Sequence, residues 1–384
     1  MKPPNYNDGN IVNLMSSISE SFGYKTPYNN LKILTPKRLK QSKNIVLIVI
    51  DGLGYNYLRR TKSFFNDYLI CPLSSVFLPT TACAIPTFLT GFPPQQHACT
   101  GWFMNLKEVG AVCKILRFSA RIGGEAFSNF GIDIKNILDY EGLTTKLKVN
   151  SFLIYPSEIK YSDFSVFISK GATKIGYDNM NGFFNSIKKA VKTKGGRKYI
   201  YAYWNELDSY NHLFGVGSRK SEKHFSQINK KFGRFIKDLK GTNTTVIVTA
   251  DHGFVNTPEN RKIRLEDHPK LKECLVLPLC GEARTAYCYV RPDKTRDFEN
   301  YVKNKLGKYC NLYKRKELIE KNYFGLFKPN PKLFDRIGDY VIVCKENYII
   351  KDSLNEMELQ KHHVGHHGGI SSDEMLVPLI VVEL

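Results

Sequence analysis

Ile45-Val-Leu-Ile-Val-Ile50-Asp51-Gly-Leu-Gly54 is the stretch that decides the fold. Six apolar, mostly β-branched residues between polar neighbours read as a strand buried on both faces, the mark of a parallel sheet. An acid follows at once. Two further segments repeat the pattern: the aromatic run Tyr199–Trp204 precedes Asp208, and Thr245–Thr249 precedes Asp251-His252-Gly253. Open parallel sheets place their ligands just past the carboxyl ends of strands, where these acids stand.

Between the strands the apolar period changes to that of helices. Phe225, Ile228, Phe232, Phe235, Ile236 and Leu239 recur at helical spacing, with Gly241 as the stop. Tyr177–Lys192 reads as another helix and Ser151–Tyr155 as another strand. Strand–helix–strand alternation predicts a mainly parallel sheet covered by helices. Ser75–Leu78 reads as a short strand ahead of Thr80-Thr81 and the run Ala82–Leu89, which closes at Thr90-Gly91. Pro86 predicts a kink or a late regular start in that helix. Asp208 is expected in the loop beyond its strand. The polar segment 1–43 reads as an N-terminal arm with a helix near Val12–Phe22. From 256 to 355 the pattern changes, with strands at Thr285–Val290 and Tyr340–Cys344 and helices at Thr295–Leu306 and Lys316–Lys321. That region is expected to be an appended or inserted α/β subdomain that supplies no ligand. The core is then 44–255 with 356–384, where Leu376–Val382 adds a last strand.

The chain has 384 residues, a formal charge of +20 and nine cysteines without a Cys-x-x-Cys pair. Scattered cysteines argue against a thiolate metal site and fit a reducing cytoplasm. The first thirty residues carry no apolar leader, and no apolar run reaches the ~20 residues that cross a bilayer. A cytoplasmic protein without a membrane partner is the expectation. The densest basic patch, Lys188, Lys189, Lys192, Lys194, Arg197 and Lys198, suggests nucleic acid as a partner. A solvated, compositionally biased surface that attracts small anions is the favoured alternative. Oligomeric state is not legible.

Asp51, Asp208, His212, Asp251, His252 and His367 form a set of six oxygen and nitrogen donors, with Thr81 between the first two. Any one of them alone reads as a loop cap or an ordinary histidine. Together they suit two divalent cations, zinc first and manganese second. Two such ions a few ångströms apart serve in-line phosphoryl displacement, and a coordinated threonine hydroxyl becomes a usable nucleophile. Cys83-Ala-Ile-Pro-Thr lacks the arginine of the sulfatase-type Cys-x-Pro-x-Arg sequence, so Cys83 reads as an ordinary cysteine.

Ile-Val-Ile-Asp51-Gly, Phe77-Leu-Pro-Thr-Thr81-Ala with Leu89-Thr90-Gly91, Asp208-x-x-x-His212, Thr249-Ala-Asp251-His252-Gly253 and Gly365-His-His367-Gly resemble the type I phosphodiesterase/nucleotide pyrophosphatase branch of the alkaline phosphatase superfamily. The likeness spans most of the chain in order. It implies an alkaline-phosphatase-like central, largely parallel sheet flanked by helices, and a metal-dependent phosphohydrolase core. It also implies one metal held by Asp208, His212 and His367, and a second by Asp51, Thr81, Asp251 and His252. Thr81 would carry a covalent phosphothreonine-type intermediate formed from a small phosphodiester or nucleotide. Thr81 is preferred to Thr80 by its spacing to Thr90-Gly91, and His367 to His366 because it directly precedes the glycine.

One departure stands out. The family carries a phosphate-binding Asn soon after a histidine corresponding to His97, where this chain has Gly101-Trp102. The contact to the phosphoryl oxygen is therefore unassigned. Ser74–Cys99 contains no Arg or Lys, which favours a singly charged diester over a monoester. Phe92, Trp102 and Trp204 are candidates for stacking a base, with plain packing as the alternative. A phosphomonoesterase or phosphomutase on the same fold, and a basic nucleic-acid binder with a non-catalytic metal site, are the competing functions.

Overall fold

The computed structural model describes residues 3–360 and 362–384. Its centre is a seven-stranded sheet in the order Leu69–Ser74, Leu376–Glu383, Thr244–Thr249, Asn44–Ile50, Lys198–Trp204, Asn150–Pro156 and Thr173–Tyr177. The five strands from Thr244–Thr249 to Thr173–Tyr177 run parallel, and Leu376–Glu383 is antiparallel to both neighbours. Every residue of Asn44–Ile50 is buried. The continuous apolar run is thus explained by neighbours on both edges and both faces. On one face Ile48, Ile50 and Trp204 pack against Phe183, Phe184, Ile228 and Phe232 of the helices Met180–Lys192 and Arg219–Asp238. Each such aliphatic side chain contributes roughly 1.5–3 kcal/mol by burial.

A second seven-stranded sheet is antiparallel, in the order Cys310–Lys314, Tyr340–Cys344, Thr285–Cys288, Cys280–Glu282, Phe103–Leu106, Ala111–Lys114 and Ser119–Ala120. Strand pairing therefore ties the 256–355 region to 103–120, whose short strands the sequence pattern does not announce.

Local expectations are corrected in four places. Ser75–Leu78 is irregular, and the strand is Leu69–Ser74 instead. Its Pro72 hides the signal, yet an edge strand tolerates a residue that cannot donate to a neighbour. Asp208 is not in a loop, because the helix Glu206–Phe214 starts directly after the strand and holds it in the first turn. Thr81–Thr90 is helical from its first residue although Pro86 lies inside it. Tyr177 ends a strand, with the helix beginning only at Met180. The N-terminal helix Ile11–Ser21 is almost wholly buried despite its serines, with Asn10 and Asn13 forming a reciprocal cap.

Candidate active site

Register brings the acids together. Val49 pairs with Thr249, so Asp51 and Asp251 leave adjacent strands at the same level. Ile50 pairs with Trp204, whose carbonyl accepts the Asp51 amide at 2.9 Å. Asp208 and His212 then share one helix face, being four residues apart. Gly52 turns the chain after Asp51 at φ +75°, and a Cβ there would stand 2.7 Å from the Phe254 ring.

Two clusters result. In the first, His212 Nε2 lies 3.4 Å from Asp208 Oδ1 and 3.2 Å from His367 Nε2, and His367 Nε2 lies 3.9 Å from Asp208 Oδ1. In the second, His252 Nε2 lies 3.3 Å from Asp51 Oδ1 and 3.4 Å from Asp251 Oδ2. The Thr81 hydroxyl donates to Asp51 Oδ2 at 3.3 Å and sits 3.2 Å from His252 Nε2. The clusters abut, since His252 Nε2 is 3.9 Å from Asp208 Oδ1 and the His252 and His367 rings stack at 3.7 Å. All seven residues singled out in the sequence are therefore brought to one place. Thr80 and His366 are not. The Thr80 hydroxyl turns to Glu282, and His366 is buried on a short strand opposite Val255, its imidazole pushed down to about 3 by burial.

The electrostatics are unbalanced. Burial, then the neighbouring carboxylates, raise the Asp51 and Asp208 carboxyls well above the usual range. Burial depresses His212, His252 and His367, so these imidazoles stay neutral. Asp51 Oδ1, Asp208 Oδ1 and Asp251 Oδ2 are buried and accept no hydrogen bond. Asp251 shows why, because its Oδ1 takes the Gly52 and His252 amides at 3.1 and 3.0 Å and Oδ2 is left facing the cluster. Buried carboxylate oxygens without donors call for cations. His212 Nδ1 meets the Gly365 carbonyl at 2.9 Å and His252 Nδ1 the Gly253 carbonyl at 3.1 Å. Donation there leaves each Nε2 lone pair free, the form in which imidazole binds a metal. The groups Asp208–His252–His367 and Asp51–Asp251–His252 can each converge on an ion, and His212 adds a donor to the first. The residues present fit divalent cations.

Four contributors carry no signal in the local sequence. Tyr203 donates a short hydrogen bond to Asp51 Oδ2. Phe254 puts its ring edge-on to His212, His252 and His367 at 4.9, 5.4 and 5.2 Å, fixing three imidazoles at once. Glu374 ties two loops together: its carbonyl accepts the Gly253 amide at 2.8 Å, and its carboxylate accepts Gly369 N–H and Ser371 Oγ at 2.7 Å each. Glu282 comes from the 256–355 region, from which no metal ligand was expected. Its carboxyl accepts the Thr80 hydroxyl at 2.5 Å and the Trp102 amide at 3.0 Å, and burial raises it to about 7.

Trp204 is unavailable to a base. It is buried, stacked on Tyr177 at 5.4 Å and His224 at 5.9 Å, and donates to His224. Phe92 and Trp102 are half-buried. In the basic patch Lys188 pairs with Asp238, Arg197 donates to three backbone carbonyls, and Lys198 is buried against Asn44 and Val191. Half of that patch serves the fold.

Among solved structures, the fold is similar to that of murine ectonucleotide pyrophosphatase/phosphodiesterase 5, an inactive threonine-to-alanine variant in complex with AMP. The two share 19% identity over 88% of this chain and 87% of that one, with a TM-score of 0.66. The human ectonucleotide pyrophosphatase/phosphodiesterase 5 aligns over the same shares at 17% identity and a TM-score of 0.67. A profile of the type I phosphodiesterase/nucleotide pyrophosphatase family matches residues 45–370, and the chain belongs to that family.

Proposed function

We propose that the chain hydrolyses phosphodiester or pyrophosphate bonds of nucleotide-like substrates at Thr81, with two divalent cations, zinc before manganese, as cofactors. Family membership makes it a phosphodiester hydrolase. The observation that carries the finer reading is the Thr81 hydroxyl held against Asp51 and His252, among buried carboxylate oxygens of both clusters that accept no hydrogen bond. Asp208, His212 and His367 would hold one cation, and Asp51, Thr81, Asp251 and His252 the other. Cations bound there would favour the ionised threonine and offset charge on the phosphoryl oxygens.

The protein's own residues do the rest. Asp51 orients the Thr81 hydroxyl through Oδ2, and Tyr203 donates to that same oxygen and so fixes the carboxylate. Thr81 stands at the first turn of a ten-residue helix, whose free amides and dipole favour an anion. Thr81 Oγ attacks phosphorus and the leaving alcohol or phosphate departs with its bonding electrons. The phosphothreonine is then cleaved by water, which restores the hydroxyl. Positioning and charge stabilisation carry most of such a transfer. The murine structure supports the reading at two points, a threonine whose loss accompanies inactivity and a bound nucleotide.

The test compares kcat/KM for a nitrophenyl nucleotide diester and for nitrophenyl phosphate on one metal-loaded preparation. A faster diester is expected, with a phosphoryl adduct on the Thr81 peptide after acid quench. A faster monoester would replace this reading by the phosphatase, and retention of DNA or RNA without turnover by the nucleic-acid binder. We infer a cytoplasmic location. All nine cysteines are free, which supports a reducing compartment. Co-localisation with a secretory marker would count against that placement.

A further inference from the structure

We propose that Glu282 is a specificity-determining residue that selects singly charged phosphodiesters over doubly charged phosphomonoesters at Thr81; the proposal rests on the nucleophile assignment above.

The fold delivers this carboxyl to the site by close backbone contact. The strand Cys280–Glu282 pairs with Phe103 through Gly281, which has φ +82°. A Cβ on Gly101 would fall 2.7 Å from the Gly281 Cα, so two glycines let the chains touch where Glu282 begins. A Cβ on Gly368 would meet the Glu282 Cβ at 2.7 Å. Glu282 is thus wedged between Thr80, immediately before the nucleophile, and Gly368, immediately after His367. Both of its hydrogen bonds, from the Thr80 hydroxyl and the Trp102 amide, fall on Oε1. Trp102 follows Gly101, and its backbone amide points at the acid.

Glu282 also differs from the other glutamates drawn into the interior. Glu108 pairs with Arg336, Glu358 with Arg121 and Glu374 with Arg284. Glu282 has a hydroxyl and an amide in place of an arginine, and Ser74–Cys99 supplies no Lys or Arg. Burial raises the Glu282 carboxyl to about 7, so its charge is carried above neutral pH, where the assays are run. An acid ionised in a water-poor wall is costly to keep unless its charge is used. A monoester brings one more negative charge than a diester to the same phosphorus, and like charges in a low-dielectric cleft repel strongly. The acid therefore acts against the monoester.

The experiment measures kcat/KM for both nitrophenyl substrates with wild type and Glu282→Gln, and inorganic phosphate binding by calorimetry on the same metal-loaded proteins. Glutamine keeps an acceptor for Thr80 and Trp102 and removes the charge. The diester-to-monoester ratio should fall at least about tenfold, equivalent to about 1.4 kcal/mol, with the monoester value rising. Phosphate should bind more tightly to the variant. An unchanged ratio, or parallel loss on both substrates with unchanged phosphate affinity, overturns the proposal. If Glu282→Gln does not fold, Glu282→Asp, which withdraws the charge by one methylene, should show the same shifts at smaller size, and their absence is equally fatal. Wild type that turns over neither substrate would sink the phosphodiesterase reading, and the proposal with it. A persistent diester preference in Glu282→Gln would sink the role of Glu282 alone.

Discussion

The strand ends and the seam beside the second sheet both bury acidic groups, and they treat them in opposite ways. At the strand ends Asp51, Asp208 and Asp251 each turn a buried oxygen toward the others with no donor in reach. Along the seam, Glu374 receives Arg284 Nε and Nη2 at 2.9 and 2.8 Å, and Arg121 reaches Asp352 at 2.7 Å and Glu358 at 2.9 Å. The histidines divide likewise. His97 has both nitrogens engaged, Nδ1 accepting the Cys99 amide at 3.0 Å and Nε2 meeting Thr87 Oγ1 at 3.1 Å. His212, His252 and His367 point their Nε2 atoms at one another and at the carboxylates. A region whose charges are paired holds a fold together. One whose charges are left over is arranged for something that brings the opposite sign.

The largest effect should come from the unpaired side. Thr81→Ala is expected to lower kcat/KM by at least about three orders of magnitude while leaving the fold intact, whereas Thr80→Ala, which removes a hydroxyl bonded to Glu282, should be far milder. Steady-state assays of both variants check this, and a dead Thr80→Ala beside an active Thr81→Ala would reverse the assignment. Next, on the paired side, Arg284→Ala strands a buried Glu374 and should cost roughly 3–5 kcal/mol in urea unfolding. A loss near zero would mean that the seam is not what secures the Gly253 and Gly369 loops. Smaller, and of opposite sign, is Asp208→Asn in chelated protein. It relieves like-charge crowding and should raise the thermal midpoint, while removing much of the rise that zinc gives to wild type. A lowered midpoint in chelator would contradict the imbalance.

The last effect is confined to acid pH and concerns His97, held by burial at about 3 against an ordinary 6.5. Between those values the unfolded chain binds a proton that the folded chain refuses. The stabilisation is therefore complete above about 6.5 and is lost as pH falls toward 3. His97→Gln should reduce the slope of unfolding free energy on pH in that window by up to about 1.4 kcal/mol per unit. Equal slopes for the two proteins would show that His97 is not kept neutral.

How much was legible in the sequence follows from which interactions are local. Ile45–Ile50 and Thr245–Thr249 announce a parallel sheet because burial on both faces leaves no polar alternation to hide them, and Asp51 and Asp251 follow directly. Asp208 and His212 are one helical turn apart, and His367 is marked by its glycine. Leu69–Ser74 was masked by Pro72, which only its place at the sheet edge makes tolerable. Glu282 and Tyr203 were invisible for another reason. Glu282 reaches Thr80 across 202 positions and Tyr203 reaches Asp51 across 152, so no local pattern encodes either contact. The basic patch presents less free charge than its residues suggest, because Lys198 and Arg197 spend donors on the backbone.

The central claim is that the leftover charge at the strand ends is balanced by divalent cations, and elemental analysis of unchelated protein measures it directly. Wild type grown with ample metal should hold about two divalent ions per chain, and Asp208→Asn with His367→Ala should hold clearly fewer. Wild type with a content near zero, and no activity restored by adding zinc or manganese, would contradict the account.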